Sequence, residues 1–282
     1  MSSMMMQEIS VEDAKTRLAF PVERQEVRAS MDGNLIKVPD RVAIVRPDTK
    51  QVLSVMSEKY TLLKHLDMFE EAAHHLEEAG FEYKVTKCEL INDGARALVG
   101  FFLPELTYQF PDGDIIDYHL YFKNSYDGSW AFDFTAGFFR LVCSNGLVVG
   151  EITSRIHRKH SPNFVINPYV QQIMEYVNRS KEVGVDTFMN MKRSKISVGR
   201  GIEIIGKSIE KKIWPKKYQE EVEENFIQRK DSISNDSLFD VYNAYTRSLR
   251  DMRKGTEDDI SFQRVESLNN NVFTYCRNQL VA

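Results

Sequence analysis

Apolar and polar residues alternate along the first part of the chain and adopt helical spacing along the second. From Pro21 to about Ile166, short β-rich runs are separated by turn residues that tolerate positive φ: Met31-Asp32-Gly33-Asn34, Asn92-Asp93-Gly94, Pro111-Asp112-Gly113-Asp114 and Asn124-Ser125-Tyr126-Asp127-Gly128-Ser129. The runs Leu35–Val38, Val42–Arg46, Val52–Val55, Phe81–Leu90, Arg96–Leu103, Ile115–Lys123 and Trp130–Val142 are spaced as strands of an antiparallel sheet. One helix interrupts them, His65 to Ala79, with Leu66, Phe69, Ala72, Ala73 and Leu76 on one face and Gly80 just past its end. After Asn167-Pro168 the turn residues thin out. Three helical stripes follow: Val170, Ile173, Met174 and Val177; Leu238, Val241, Tyr242, Tyr245 and Leu249; and Val265, Leu268, Val272 and Tyr275. The expected fold class is α+β: an N-terminal segment over 1–20, an antiparallel sheet domain with one packed helix over 21–166, and a mainly helical region over 167–282.

Within Ile116 to Lys123, alternation sends Ile116, Tyr118, Leu120 and Phe122 to one face and Asp117, His119, Tyr121 and Lys123 to the other. The first set is core, and Trp130, Phe132 and Phe134 on the return strand extend it. His119, Tyr121 and Lys123 are then the candidates for exposed contacts.

Composition narrows the class. The chain has 282 residues, is 42% hydrophobic and 28% charged, and carries a formal charge of −4; its mean hydropathy is −0.40 and its isoelectric point near 5.9. That is enough apolar surface for a core, which excludes disorder over most of its length, and the acidic balance excludes a wholly basic binder. No apolar run reaches the roughly 18 residues of a membrane span, and the Met-rich start has no basic segment leading into an apolar one, so a cytoplasmic protein with no membrane partner is expected. Cys88, Cys143 and Cys276, odd in number and widely spaced, fit reduced thiols.

Charge is unevenly distributed. Nine basic residues (Lys192, Arg193, Lys195, Arg200, Lys207, Lys211, Lys212, Lys216 and Lys217) lie in one segment against Glu203 and Glu210, and Glu220, Glu221, Glu223 and Glu224 follow, so a helix hairpin would pair the two blocks internally. A second cluster, Arg155, His157, Arg158, Lys159 and His160, reads as a solvated basic loop suited to phosphate.

Val38-Pro39 with Ala43-Ile44-Val45-Arg46, the Tyr60 segment, Asn124-Ser125-Tyr126-Asp127-Gly128-Ser129, Arg140-Leu141-Val142-Cys143-Ser144-Asn145-Gly146 and Lys159-His160-Ser161 recur in an order that resembles the phage and plasmid-like domain-of-unknown-function family numbered 932. The resemblance runs from about Leu35 to Tyr245. It implies a phage or mobile-element origin and brings no established active site; Tyr126 and Gly146 depart from the family's usual His and Thr.

Several constellations carry a structural and a functional reading. Asn124 to Ser129 is a hairpin loop or a phosphate-holding loop. Arg140 is either ion-paired to Asp133 or Asp127 or a phosphate contact. Cys143, flanked by apolar residues, reads as a small buried hydrophobe, and His74 and His75, among acids, as an exposed charged helix face. Zinc on Cys143, His157 and His160 is disfavoured because Arg155, Arg158 and Lys159 surround the site and repel a cation, so neither metal nor cofactor is expected. Gly201 to Ser208 matches the phosphate-loop string G-x-x-x-x-G-K-S, yet no buried strand precedes it and Pro215 limits the helix that follows. Ile202, Ile205, Ile209 and Ile213 instead mark a basic amphipathic helix. Catalysis would need Asp112, Asp114, Asp117, Asp127 and Asp133 to converge on a metal, the signature of a nuclease, and spacing alone does not converge them.

The residues therefore point to binding rather than catalysis. Lys123, Asn124, Tyr121, Tyr126, Arg140, Arg155, Arg158, Lys159, His160, Lys192, Arg193, Lys195 and Arg200 are the expected nucleic-acid contacts, the tyrosines stacking on bases of single-stranded DNA during recombination or replication. A homo-oligomer fits such a binder. The rival reading is an interaction protein that counters a host defence or regulatory factor through an acidic surface.

Overall fold

The fold is described from a computed structural model, which covers residues 8–111, 115–141, 148–162, 164–183, 186–228, 237–253 and 259–280. Helix α1 (Val11–Leu18) leads into strands β1 (Glu23–Met31), β2 (Asn34–Arg46) and β3 (Gln51–Ser57), then helix α2 (His65–Glu78). Strands β4 (Lys84–Ile91), β5 (Arg96–Gln109), β6 (Ile115–Ser125), β7 (Phe132–Leu141) and β8 (Val148–Arg158) follow. Helices α3 (Asn167–Val183), α4 (Asp186–Arg193), α5 (Val198–Glu210), α6 (Gln219–Gln228), α7 (Leu238–Arg253) and α8 (Asp259–Asn278) complete the chain, with a 3-10 turn at Lys216–Tyr218. The fold is thus α+β, with two sheets ordered β1-β2-β3 and β4-β5-β6-β7-β8. Among the described residues, no helix is long and apolar enough to cross a membrane.

Turn chemistry places the strands where the sequence puts them. Asp32 and Gly33 both take positive φ between β1 and β2, as do Asn92, Asp93 and Gly94 between β4 and β5. Three elements differ from the sequence expectation. Strand β1, Glu-Arg-Gln-Glu-Val-Arg, has almost no apolar alternation and becomes a strand only through its antiparallel ladder to β2. The runs Leu35–Val38 and Val42–Arg46 form one strand, with Pro39 and the positive-φ Asp40 held inside it as an irregularity. The basic run from Arg155 to Arg158 is the end of β8, not a loop.

The chain divides into two compact units that interleave in sequence: 1–106 with 118–136 and 153–181, and 107–117 with 137–152 and 182–282. In the first, α2 buries Met68, Phe69, Ala72, Ala73 and Leu76, and Gly80 takes the left-handed conformation that closes the helix. His75 is buried on this helix, not exposed as expected: its ring lies between Glu71 and Glu78 and beside the Asn167 amide, while His74 stays outside with Glu78. A smaller core gathers Val22, Ile44, Tyr60 and Tyr126 with Phe20, Val42, Leu53, Met56 and Leu62.

In the second unit α7 is buried from Leu238 to Leu249 and packs against α4, α5, α6 and α8. It is started by a capping box: Asp240 accepts from the Ser237 backbone N–H, and the Ser237 hydroxyl accepts from the Asp240 N–H. Trp214 packs edge-on against Tyr245, whose hydroxyl donates to Ser208 Oγ. The phosphate-loop string lies wholly within α5, where Gly201 N–H is already committed to Ser197 O. Its buried residues are Gly201, Ile204, Ile205 and Ser208, so the buried stripe runs through Ile204 rather than Ile202 and Ile209. A helix in this register has no free amides to wrap around a phosphate.

Candidate nucleic-acid interface

The Asn124–Ser129 segment is built as structure. Asn124 and Ser125 belong to β6, and the bend that follows carries Gly128 at φ +69. Asn124 Nδ2 donates to Leu63 O at 2.8 Å and lies 2.9 Å from His65 Nδ1. His65 Nε2 is 3.0 Å from Gly94 O, an acceptor, so Nε2 carries the proton and Nδ1 receives the Asn124 amide. The Tyr126 ring stacks on His65 at 3.9 Å, and its hydroxyl accepts the His65 backbone N–H at 2.8 Å. That hydroxyl caps α2, because Lys64 at the N-cap position makes no side-chain cap. Tyr60 donates to Ser125 O and stacks on His160, whose Nδ1 lies 3.1 Å from Thr61 O. Asp127 accepts from the Ser129 N–H and hydroxyl and from Arg96. The loop reading holds, and the groups the phosphate reading would have used are already committed inside the molecule.

These positions correct the expected contact set. Tyr126 (1% exposed), Asn124, Lys123 and His160 are buried and offer no surface to a nucleic acid. His119 is also fully buried, stacked between Phe102 and Tyr121. Tyr121 is half-buried, and its ring lies where a Cβ on Gly100 of the neighbouring strand would stand. Alternation along β6 is present, but Phe102 of the flanking strand β5 and Tyr121 of β6 itself stack on His119 on its second face. Burial pushes the imidazoles of His65 and His119 down to about 3, and that of His160 down as well, so all three are neutral in the fold.

The acidic residues that the structure describes, Asp117, Asp127 and Asp133, are each occupied separately. Buried Asp133 receives Arg155 Nε at 2.9 Å and Nη2 at 2.7 Å, with His157 Nδ1 at 3.2 Å. Asp117 receives Thr107, and burial raises its carboxyl. Asp112, Asp114, Cys143 and the Arg140 side chain lie outside what the structure describes. Among the described residues, no three His, Cys, Asp or Glu are grouped to hold a metal.

Exposed cationic surface remains in both units. In the first, Arg158 and Lys159 are exposed at the end of β8, and the Arg158 guanidinium lies 5.2 Å over the Tyr169 ring. In the second, the cationic segment is divided among α4, α5 and the 3-10 turn, and its members differ. Lys192 is half-buried over the Phe110 and Phe239 rings, while Arg193 and Lys195 are exposed. Arg200 and Lys207 both pair with Glu203, whose carboxyl falls to about 2. Lys211, Lys212, Lys216 and Lys217 are exposed and have no carboxylate partner among the described residues. They surround Trp214, with Lys212 at φ +57, Lys211 5.8 Å over the Tyr275 ring and Lys217 4.5 Å over that of Tyr218. The sequence places this stretch in a basic helix over Lys192–Lys217, and its four lysines are not among the individual contacts expected above. For Lys211 and Lys212 the signal was legible, since neither has an acid three or four residues away; Lys216 and Lys217 do have Glu220 and Glu221 at that spacing, and only the intervening 3-10 turn keeps them apart.

A mixed α+β chain with a cationic, aromatic-lined turn is the class of protein that the fold and this surface define. Residues 52–272 match the family described as Domain of unknown function (DUF932), and the chain belongs to that family. No curated protein and no solved structure matches it.

Proposed function

We propose that this protein binds nucleic acid, single-stranded DNA being the favoured form, in the recombination or replication of a phage or other mobile element. The carrying observation is the Lys211–Lys217 loop, where four exposed lysines, without carboxylate partners among the described residues, flank Trp214 beside Tyr218 and Tyr275. Ammonium groups with no carboxylate partner among the described residues keep their charge for phosphate, whereas Arg200 and Lys207 spend theirs on Glu203. The half-buried Tyr218 ring supplies an aromatic edge of the kind that supports unstacked bases.

The test is fluorescence anisotropy of a labelled single strand across a salt series, with a duplex of equal length as comparator. Log affinity should fall linearly with log salt. A variant carrying Lys211→Gln, Lys212→Asn, Lys216→Gln and Lys217→Gln should lose about 0.7 of slope per phosphate contact removed, about 3 in total if all four engage. Absence of binding at low salt, or an unchanged slope in the variant, refutes the reading and turns attention to a protein partner sought by pull-down.

A further inference from the structure

We infer that a second copy of this chain docks on strand β1, joining the two three-stranded sheets edge to edge about Val27. This inference is independent of the nucleic-acid reading. Strand β1 is an edge strand, bordered among the described residues only by β2, and of its nine residues all but Val27 are exposed. A long uncovered edge presents unpaired backbone donors and acceptors that a further strand can satisfy. The edge is also regular. Where the β1–β2 register breaks, between Glu26 and Arg28, the extra residues belong to β2, and Asp40 among them takes positive φ. The bulge that would spoil an edge for pairing therefore sits on the inner strand.

Charge pattern selects the partner. Val27 is the midpoint of Glu23–Met31, so an antiparallel pairing centred on it overlaps the whole strand. In that register Glu26 stands opposite the partner's Arg28, and Arg28 opposite the partner's Glu26. Shifting the centre to Glu26 would instead set Arg24 against Arg28, like against like. The Val27 register also joins apolar positions. Ala29 pairs with Ile36 within the hairpin, and Gln25 lies in one row with Ala43 and Val55. Pairing Ala29 with the partner's Gln25 makes a continuous row from Ile36 to the partner's Val55. The next row sets Met31 beside the partner's Glu23, Val45 and Val52. Met31, Ile36, Val52 and Val55 are each about half exposed or more in the single chain, an apolar face that gains cross-strand neighbours on pairing.

The full chain is examined by sedimentation velocity through the micromolar range, beside Glu26→Lys and Arg28→Glu. The parent, 32.7 kDa as a single chain, should sediment as a dimer. Each variant alone sets like charges opposite each other twice over and should raise the dimer dissociation constant about tenfold or more. An equimolar mixture sets a cationic pair against an anionic one and should recover the dimer, an outcome that misfolding does not produce. A parent that stays monomeric, variants that dimerise as the parent does, or a mixture that fails to recover the dimer overturns the assignment.

Discussion

Tyr126→Phe isolates one oxygen atom at the junction between the Asn124–Ser129 segment and helix α2. The ring is 1% exposed, and phenylalanine keeps both its volume and its stack on His65. Only the acceptor for the His65 N–H is lost, at a helix start where Lys64 supplies no side-chain cap. A buried donor left without its partner costs about 1–3 kcal/mol. In a chain of this size that corresponds to a fall in Tm of a few degrees, at about 2–4 °C per kcal/mol. Urea unfolding gives the loss directly, and amide hydrogen exchange at His65 should quicken while mid-helix amides of α2 keep their protection. Tyr126→Leu, which also removes the aromatic stack, should cost more. A Tyr126→Phe loss below about 0.5 kcal/mol together with an unchanged His65 exchange rate would mean that the hydroxyl does not cap the helix.

Stability should also depend on pH on the acid side. His65 and His119 stay neutral in the fold down to about pH 3, whereas the unfolded chain takes up their protons below about 6.5. Each therefore favours unfolding by about 1.4 kcal/mol per pH unit as the pH falls from about 6.5 toward 3, and neither contributes a slope above neutrality. Urea titrations at pH 7 and pH 5 should show this fall, and a flat profile would contradict the buried neutral imidazoles. Within α5, Gly201→Ala puts a Cβ 2.2 Å from Cε1 and 2.3 Å from Cζ of the buried Phe226 ring; the overpacking, about 1–3 kcal/mol, should outweigh the helix propensity gained. Gly206→Ala in the same helix meets nothing within 4 Å and should stabilise by up to about 1 kcal/mol. Equal effects of the two substitutions on thermal unfolding would refute the packing argument.

Local chemistry was legible wherever a residue's conformation depends on its own neighbours. Asp32-Gly33 and Asn92-Asp93-Gly94 turn where positive φ is tolerated, Gly80 ends α2, and the stripes Val170–Val177 and Leu238–Leu249 are buried as their spacing requires. The same locality exposed the phosphate-loop string as helix. The candidate interface was legible only as charge. Alternation assigned Lys123 and His119 to a second face of β6, but whether that face meets water depends on what the flanking strand lays over it, and the aromatic neighbours of His119 cover it. Tyr126 and His160 look like surface residues in a turn and a basic run; their burial arises from contacts with His65 and Tyr60, roughly 60 and 100 residues away in sequence. The choice of Asp133 for Arg155, and the absence of any such partner among the described residues for the lysines around Trp214, were decided in the same way. Sequence by itself determined the turns, the helical stripes and the total charge, because these follow from φ preferences and side-chain period. Tertiary structure alone decided which polar groups are desolvated and which cations remain unpaired, because burial and ion pairing are properties of contacts between segments distant in the chain.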